Sequence, residues 1–376
     1  MTMPGCRVCK AAPLEAWLVL PGMPQAAQGL PQAGALEADQ PVDLVIGHCR
    51  ACGTIQSASP PVPYYREVIR AVAYSPEMME FRLRQLADFV QAHGLAGKKV
   101  LEVGAGRGEY LRLLQQVGLR AYGLEYGQAS VQACLADGHH VQQLFPEAGS
   151  GAIAQGPFDA FASFNFLEHW PDPRGSLEVI SRQLAPEAIG LIEVPNFDMI
   201  LSKGLLTEFI ADHIFYFTSG TLRTLLEISG FDIVSIQPVW HDYILSAQVR
   251  KKRPINPDGF EAMLCSMRSA LHDFAARYGR VAVWGAGHQA LATLALTDLA
   301  PKIRYVVDSA PFKQGRYTPA THLPIVAPDR LKEDPVDAVI VMAAAYGDEV
   351  VRQVRQEHGD TLKLGIVRDN QFEVVV

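Results

Sequence analysis

The stretch Lys99-Val100-Leu101-Glu102-Val103-Gly104-Ala105-Gly106-Arg107-Gly108 decides the fold of this chain. A short apolar run that ends in clustered glycines reads as a buried strand entering a tight turn. Without a Cβ, glycine lets the backbone come close to a ligand. Glu109-Tyr110-Leu111-Arg112-Leu113-Leu114 follows with helical spacing, so strand, glycine turn and helix open an α/β sheet. Working outward, Ala121-Tyr122-Gly123-Leu124-Glu125 is a second strand that ends in a carboxylate, and residues 158–166 form the fourth. A later strand is expected over 189–194, then a helix over 222–229 and an antiparallel hairpin from 231–239 and 243–249.

The loop spacing is G-x-G-x-G, whereas a dinucleotide fingerprint is G-x-G-x-x-G with pyrophosphate at the helix N-terminus. A ligand without phosphate fits better, and S-adenosylmethionine offers a nucleoside, a sulfonium and an amino-acid tail. Glu102 suits its cationic end, and Glu125 stands where a carboxylate accepts both ribose hydroxyls. Ligands of open α/β sheets lie beyond the carboxyl ends of the strands, which places Asn165 to His169 in the cleft. The expected cofactor contacts are therefore Glu102, Gly104, Ala105, Gly106, Gly108, Glu125, Tyr126, Asn165 and Leu167.

Two cysteine pairs stand in front of this core, Cys6-x-x-Cys9 and Cys49-x-x-Cys52. A two-residue gap lets both sulfurs of a pair reach one tetrahedral ion, and thiolates suit zinc. Four sulfurs would close the shell, so the metal is expected to be structural. Disulfides or a redox pair are the alternatives, the first disfavoured by a reducing compartment and the second because neither pair opens a thioredoxin-like helix. Cys134 and Cys265 are expected to be buried thiols without chemistry, and the adjacent His139 and His140 solvated loop residues.

The chain has 376 residues, 49% hydrophobic and 19% charged, with a net charge of −7, which speaks against a nucleic-acid backbone as partner. The one basic run, Arg250-Lys251-Lys252-Arg253, reads as a solvated linker. No apolar run is long enough to cross a bilayer, and the cytoplasm is expected. Composition divides the chain into residues 1–60, an expected zinc-binding module, 61–250, an α/β block that carries the glycine loop, and 251–376, a second, Rossmann-like α/β block. The last opens its own strand and glycine turn at Val281-Ala282-Val283-Trp284-Gly285-Ala286-Gly287, and Asp308 ends its next strand.

The glycine loop, Glu125 and Leu167-Glu168-His169-Trp170-Pro171-Asp172-Pro173 together resemble class I S-adenosylmethionine-dependent methyltransferases. The wider layout resembles bacterial C-methyltransferases of nucleotide-linked deoxysugars. In that group the zinc module ends in a pattern matched by Cys49-Arg50-Ala51-Cys52-Gly53-Thr54-Ile55-Gln56. Its C-terminal signature is echoed in Val306-Val307-Asp308, Lys313 to Pro319 and Leu323-Pro324-Ile325. The resemblance implies a doubly wound sheet closed by an antiparallel hairpin, flanked by a small zinc module and a Rossmann-like domain.

In that group a Tyr-His-Glu-His cluster is thought to supply acid–base groups. Here the acid–histidine pair survives as Asp212-His213, while Ile210 and Ala211 replace the tyrosine and first histidine. Tyr74-Ser75 resembles the group's tyrosine–serine segment, with Pro76 in place of the second serine. The implied reaction is C-methylation of a nucleotide-linked keto-deoxysugar through an enolate. His213 is then the general base, Asp212 orients the site, His169 is a second acid–base or substrate-contact group, and Tyr74 a hydroxyl donor. O- or N-methylation of another small polar acceptor is the nearest alternative. An NAD-dependent oxidoreductase and a zinc-knuckle nucleic-acid binder lie further off. The oligomeric state is open.

Overall fold

The computed structural model describes all residues except 1, 2, 12, 29, 68–74, 370 and 376. Tyr74 therefore lies outside the described residues. The chain forms two compact units, Met1–Arg253 and Pro254–Val376.

The first unit holds β1 (Glu15–Met23), β2 (Val42–His48), β3 (Ile55–Ser57), β4 (Lys99–Val103), β5 (Arg120–Glu125) and β6 (His140–Gln143). It continues with β7 (Phe158–Phe164), β8 (Leu184–Pro195), β9 (Phe215–Tyr216), β10 (Phe231–Val239) and β11 (Ile244–Lys251). Seven of these form one sheet in the order β10-β11-β8-β7-β4-β5-β6. β4 to β8 run parallel, and β11 is antiparallel to both β8 and β10. This is the doubly wound sheet with an antiparallel hairpin expected from the sequence.

The central strands are buried on both faces, which is why they read as apolar runs rather than as alternation. On one face Leu86, Phe89 and Val90 of the helix Pro76–Ala92 join Leu111 and Leu114 against Val100, Ala160 and Leu191. On the other, Leu177, Ile180, Leu222 and Leu225 pack on Leu101, Phe161 and Ile192. The sheet also encloses an ion pair, Arg82 with Glu193, 1% and 0% exposed at their side chains. Gln85 Nε2 donates to the other Glu193 oxygen at 2.6 Å, so the buried carboxylate is matched on both sides.

A second sheet has the order β1-β2-β3-β9. Its last strand comes from far along the chain, with Ile55 opposite Tyr216 and Gln56 opposite Phe215. Cys6, Val8, Leu14 and Cys49 share a hydrophobic core with Phe215, Phe217 and Leu222. The N-terminal segment is built into the first unit.

Three expectations are corrected here. The basic run is only partly linker, because Arg250 and Lys251 end β11, Lys251 Nζ donates to Leu184 O and Arg253 pairs with Glu187. His139 is buried at 7% exposure, since the turn before β6 folds it under the glycine loop. Cys265 is exposed, lying on the outer side of a helix, whereas Cys134 is buried as expected.

The second unit begins with the helix Asp258–Arg277 and holds β12 (Val281–Trp284), β13 (Ile303–Val307), β14 (Ile325–Val326), β15 (Ala338–Val341), β16 (Lys363–Arg368) and β17 (Gln371–Val375). Its sheet order is β14-β13-β12-β15-β16-β17, parallel except for β17. No helix among the described residues is long and apolar enough to cross a membrane.

Candidate active site

The glycine loop leaves β4 at its carboxyl end and is held from both sides. Gly104 N and Ala105 N both donate to Leu124 O at 2.9 Å, which ties the loop to β5. Gly104 has φ +81°, and a Cβ there would stand 2.5 Å from the Phe166 ring. Gly108, at φ +89°, caps the helix Glu109–Gln116, and a Cβ there would meet the His139 ring at 2.6 Å. At both positions the left-handed backbone and the close ring require glycine.

Glu125 ends β5 with its carboxylate already oriented. One oxygen accepts Gly106 N–H at 2.8 Å, and the other accepts Tyr126 N–H at 2.9 Å and Gly127 N–H at 2.8 Å. Asn165 follows β7 in the left-handed region, φ +48°, with its N–H donating to Glu193 O at 2.8 Å. That turn buries its Oδ1 without a hydrogen-bond partner among the described residues. An acceptor in that state fits a ligand N–H.

Glu102, near the end of β4, and Ala105, within the loop, are both wholly buried. Leu167 is likewise 0% exposed and belongs to the core under the cleft; its apolar side chain packs inward from a short 3₁₀ turn. Tyr126 is open to solvent at the rim.

Beside this cleft a two-bond clasp joins the segment after β7 to the segment before β9. Ile214 N donates to Glu168 O at 2.9 Å, and His169 Nδ1 donates to Asp212 O at 2.8 Å. The clasp sets the His169 and His213 rings 4.9 Å apart. Because a carbonyl only accepts, Nδ1 of His169 carries the proton and Nε2 is the basic nitrogen. Burial pushes His169 down to about 4. Burial and the neighbouring His169 together push His213 well below its ordinary value. Both imidazoles are neutral at pH 7, and His213, only half-buried, is the one a ligand can reach.

The Asp212 carboxylate points elsewhere. It accepts Ala27 N–H at 2.7 Å and the Tyr64 hydroxyl at 2.9 and 3.0 Å. Asp212 therefore orients His169 through its main-chain oxygen. Glu168, 1% exposed, stands 3.8 Å from His169 Nε2. Glu168, His169 and His213 each place a ligand atom within 4.8 Å of the others, a spacing that also suits a cation. Tyr64 and Glu168 carry no assignment in the sequence reading. Glu168 sits inside the quoted Leu167–Pro173 motif, whereas nothing local marks Tyr64.

Residues 78–236 match the model of a methyltransferase domain family, and residues 258–364 match that of the C-methyltransferase C-terminal domain. The C-methyltransferase NovU of Streptomyces niveus is 26% identical over 394 residues, covering 92% of this chain and 91% of that protein. The chain is an S-adenosylmethionine-dependent methyltransferase. A ubiquinone biosynthesis O-methyltransferase of Psychrobacter arcticus is 31% identical to this methyltransferase over 110 residues, 27% of the chain and 43% of the relative. The crystal structure of N-methyltransferase NodS from Bradyrhizobium japonicum, in complex with S-adenosyl-L-homocysteine, covers 48% of the chain and 90% of its own at 15% identity and a TM-score of 0.37.

The methyltransferase also gathers its four N-terminal cysteines. Cys6 and Cys52 sulfurs are 3.6 Å apart, as are those of Cys9 and Cys49, and all four lie within 4.8 Å of one another. Tetrahedral zinc with bonds of about 2.3 Å separates its sulfurs by about 3.8 Å. Gln56 Nε2 donates to Cys6 Sγ at 3.3 Å, and Thr54 Oγ1 lies 3.1 Å from Cys52 Sγ. Such outer hydrogen bonds fit thiolate ligands. Burial pushes Cys52 up to about 12, whereas for Cys6 burial is outweighed by hydrogen bonds from the Cys9 and Val8 backbone and from Gln56, which draw it down to about 7. A dication held there would supply the counter-charge that thiolate ligands need.

The C-terminal unit repeats the loop-to-carboxylate bond, with Ala286 N donating to Asp308 at 2.8 Å. Here the carboxylate also takes Ala310 N–H at 2.9 Å and Lys313 Nζ at 2.9 Å. Burial opposes ionisation, but the Lys313 ammonium and both amides outweigh it and hold the Asp308 carboxyl below its usual range. Lys313 thus occupies one oxygen of the carboxylate that ends β13.

Proposed function

We propose that this methyltransferase C-methylates a nucleotide-linked keto-deoxysugar by base-assisted enolate formation. The observation that carries the reading is the clasped histidine pair, neutral and beside the cofactor cleft. S-adenosylmethionine, when bound, supplies an electrophilic methyl group and keeps the C–S electron pair on its sulfur. Its ribose would lie on Glu125 and an N–H donor on Asn165 Oδ1. His213 takes the proton from the carbon next to the sugar ketone, at its half-exposed edge. His169 receives or returns that proton through Nε2, its ring held by Asp212 O. Methylation at carbon, rather than at oxygen or nitrogen, is favoured by the C-methyltransferase C-terminal domain and by the end-to-end likeness to NovU.

Zinc on Cys6, Cys9, Cys49 and Cys52 is proposed as structural, because four thiolates leave it no open position. The C-terminal unit is proposed to hold the nucleotide part of the acceptor without binding a dinucleotide, given Lys313 on Asp308. The cytoplasm is the proposed compartment, where such thiols stay reduced.

The experiment is incubation with a panel of nucleotide-linked keto-deoxysugars and methyl-labelled cofactor, reading which atom gains the label. In D2O without cofactor, the wild type exchanges the proton next to the ketone, and His213→Ala does not. Exchange that persists in His213→Ala, or label found on oxygen, rejects the reading.

A further inference from the structure

We propose that Tyr64 is a positioning residue for the acid–base pair, acting through Asp212 on the tautomer of His169. This rests on the roles given above to His169 and His213. Asp212 is 1% exposed, and a buried carboxylate needs hydrogen-bond donors. Among the described residues its side chain has two, the Ala27 amide and the Tyr64 hydroxyl. With those satisfied, the carboxylate faces away from the rings and leaves its own main-chain oxygen as partner of His169 Nδ1. Which nitrogen of a histidine carries the proton is set by the bond the other makes.

Without the Tyr64 hydroxyl, the carboxylate keeps a single donor. The side chain must move to find another, and the Asp212 main-chain carbonyl moves with it, away from His169 Nδ1. Nδ1–H then has no fixed acceptor while Glu168 stands 3.8 Å from Nε2, so the proton is shared between the two nitrogens and the ordered Nε2 lone pair is lost.

The hydroxyl is also delivered from a fixed point. Pro60, Pro61 and Pro63 stiffen the approach, and Glu67 N donates to Tyr64 O at 2.7 Å to close a turn. Two residues on, Arg66 grips Glu147 with both contacts at 2.9 Å and lies 5.5 Å from the Tyr126 ring at the cofactor rim. The short segment 64–66 thus touches the proton-transfer side with one side chain and the cofactor side with another.

The test is Tyr64→Phe in the full-length protein with 15N-labelled histidine. Long-range 15N–1H correlation reads the two ring nitrogens, and His169→Gln assigns the signal. The wild type shows a protonated Nδ1 and a bare Nε2 at His169. In Tyr64→Phe the two nitrogens average towards each other, and kcat falls about tenfold to a hundredfold while KM for the cofactor stays within about twofold. p-Aminophenylalanine at position 64 restores a donor and the wild-type signal. An unchanged His169 tautomer in Tyr64→Phe overturns the proposal. A shifted tautomer with unchanged turnover upholds the positioning and instead overturns the catalytic role of the histidines.

Discussion

Replacing Glu125 by glutamine tests the cofactor site with almost no change of shape. The carboxylate receives three backbone amides, from Gly106 on one oxygen and from Tyr126 and Gly127 on the other. A carboxamide keeps its oxygen on the Tyr126–Gly127 side, where two donors are served. Its NH2 group then faces Gly106 N–H, donor against donor. An unmatched buried amide costs about 1–3 kcal/mol, and the two retained bonds each weaken by about 1 kcal/mol when the acceptor loses its charge. The loop and β5 therefore come apart by about 3–5 kcal/mol, part of which the loop recovers by shifting. The cofactor loses separately one ribose hydrogen bond to a charged acceptor, worth about 1.5–3 kcal/mol, so Kd rises about 10- to 150-fold. Titration calorimetry with S-adenosylhomocysteine measures this, with circular dichroism confirming the fold. A dissociation constant within about threefold of wild type would remove Glu125 from the ribose site.

Arg82→Leu leaves Glu193 buried and uncompensated, and urea unfolding should show a loss of about 3–5 kcal/mol; the double variant Arg82→Leu, Glu193→Leu should regain most of it. Acid sensitivity follows from His169, which sits at about 4 in the folded protein. Its unfolded value is about 6.5, so the unfolded chain binds the extra proton between those limits. Its contribution is present above about pH 6.5 and lost as pH falls towards 4, a change of about 3 kcal/mol that His169→Gln should flatten in unfolding curves. Cys49→Ser should drop bound zinc from a single equivalent to a small fraction of one, read by elemental mass spectrometry, and a chelator should lower the melting temperature of wild type but not of the variant.

The parts of the fold that announced themselves in the chain are those whose causes are local. The glycine loop needs left-handed backbone at Gly104 and Gly108, and that need is written as glycine. β4 and β7 are covered on both faces and so appear as apolar runs. The cysteine pairs carry their spacing with them, and the four sulfurs do converge. What stayed hidden joins distant residues. Tyr64 and Asp212 are 148 positions apart, and Arg82 and Glu193 are 111 apart. An arginine in an amphipathic helix looks solvated until the sheet folds over it. His139 misled for a related reason, because its burial depends on the missing Cβ of Gly108, thirty-one positions earlier. The sequence marks Asp212, but only the folded chain reveals that its backbone, not its carboxylate, faces the histidine.

The two-residue β9 has a practical meaning for anyone dissecting the chain. Its backbone is zipped to β3, so the strand completing the front sheet is made only after the five parallel strands β4 to β8 have been synthesised. A clone beginning near residue 60 would strip β9 of its partner and bare the aromatic surface of Phe215 and Phe217, inviting aggregation. A fragment ending near residue 60 would lack its closing strand. Gene halves joined at that seam, or swapped between relatives, should express poorly unless both sides of the β3–β9 pairing travel together.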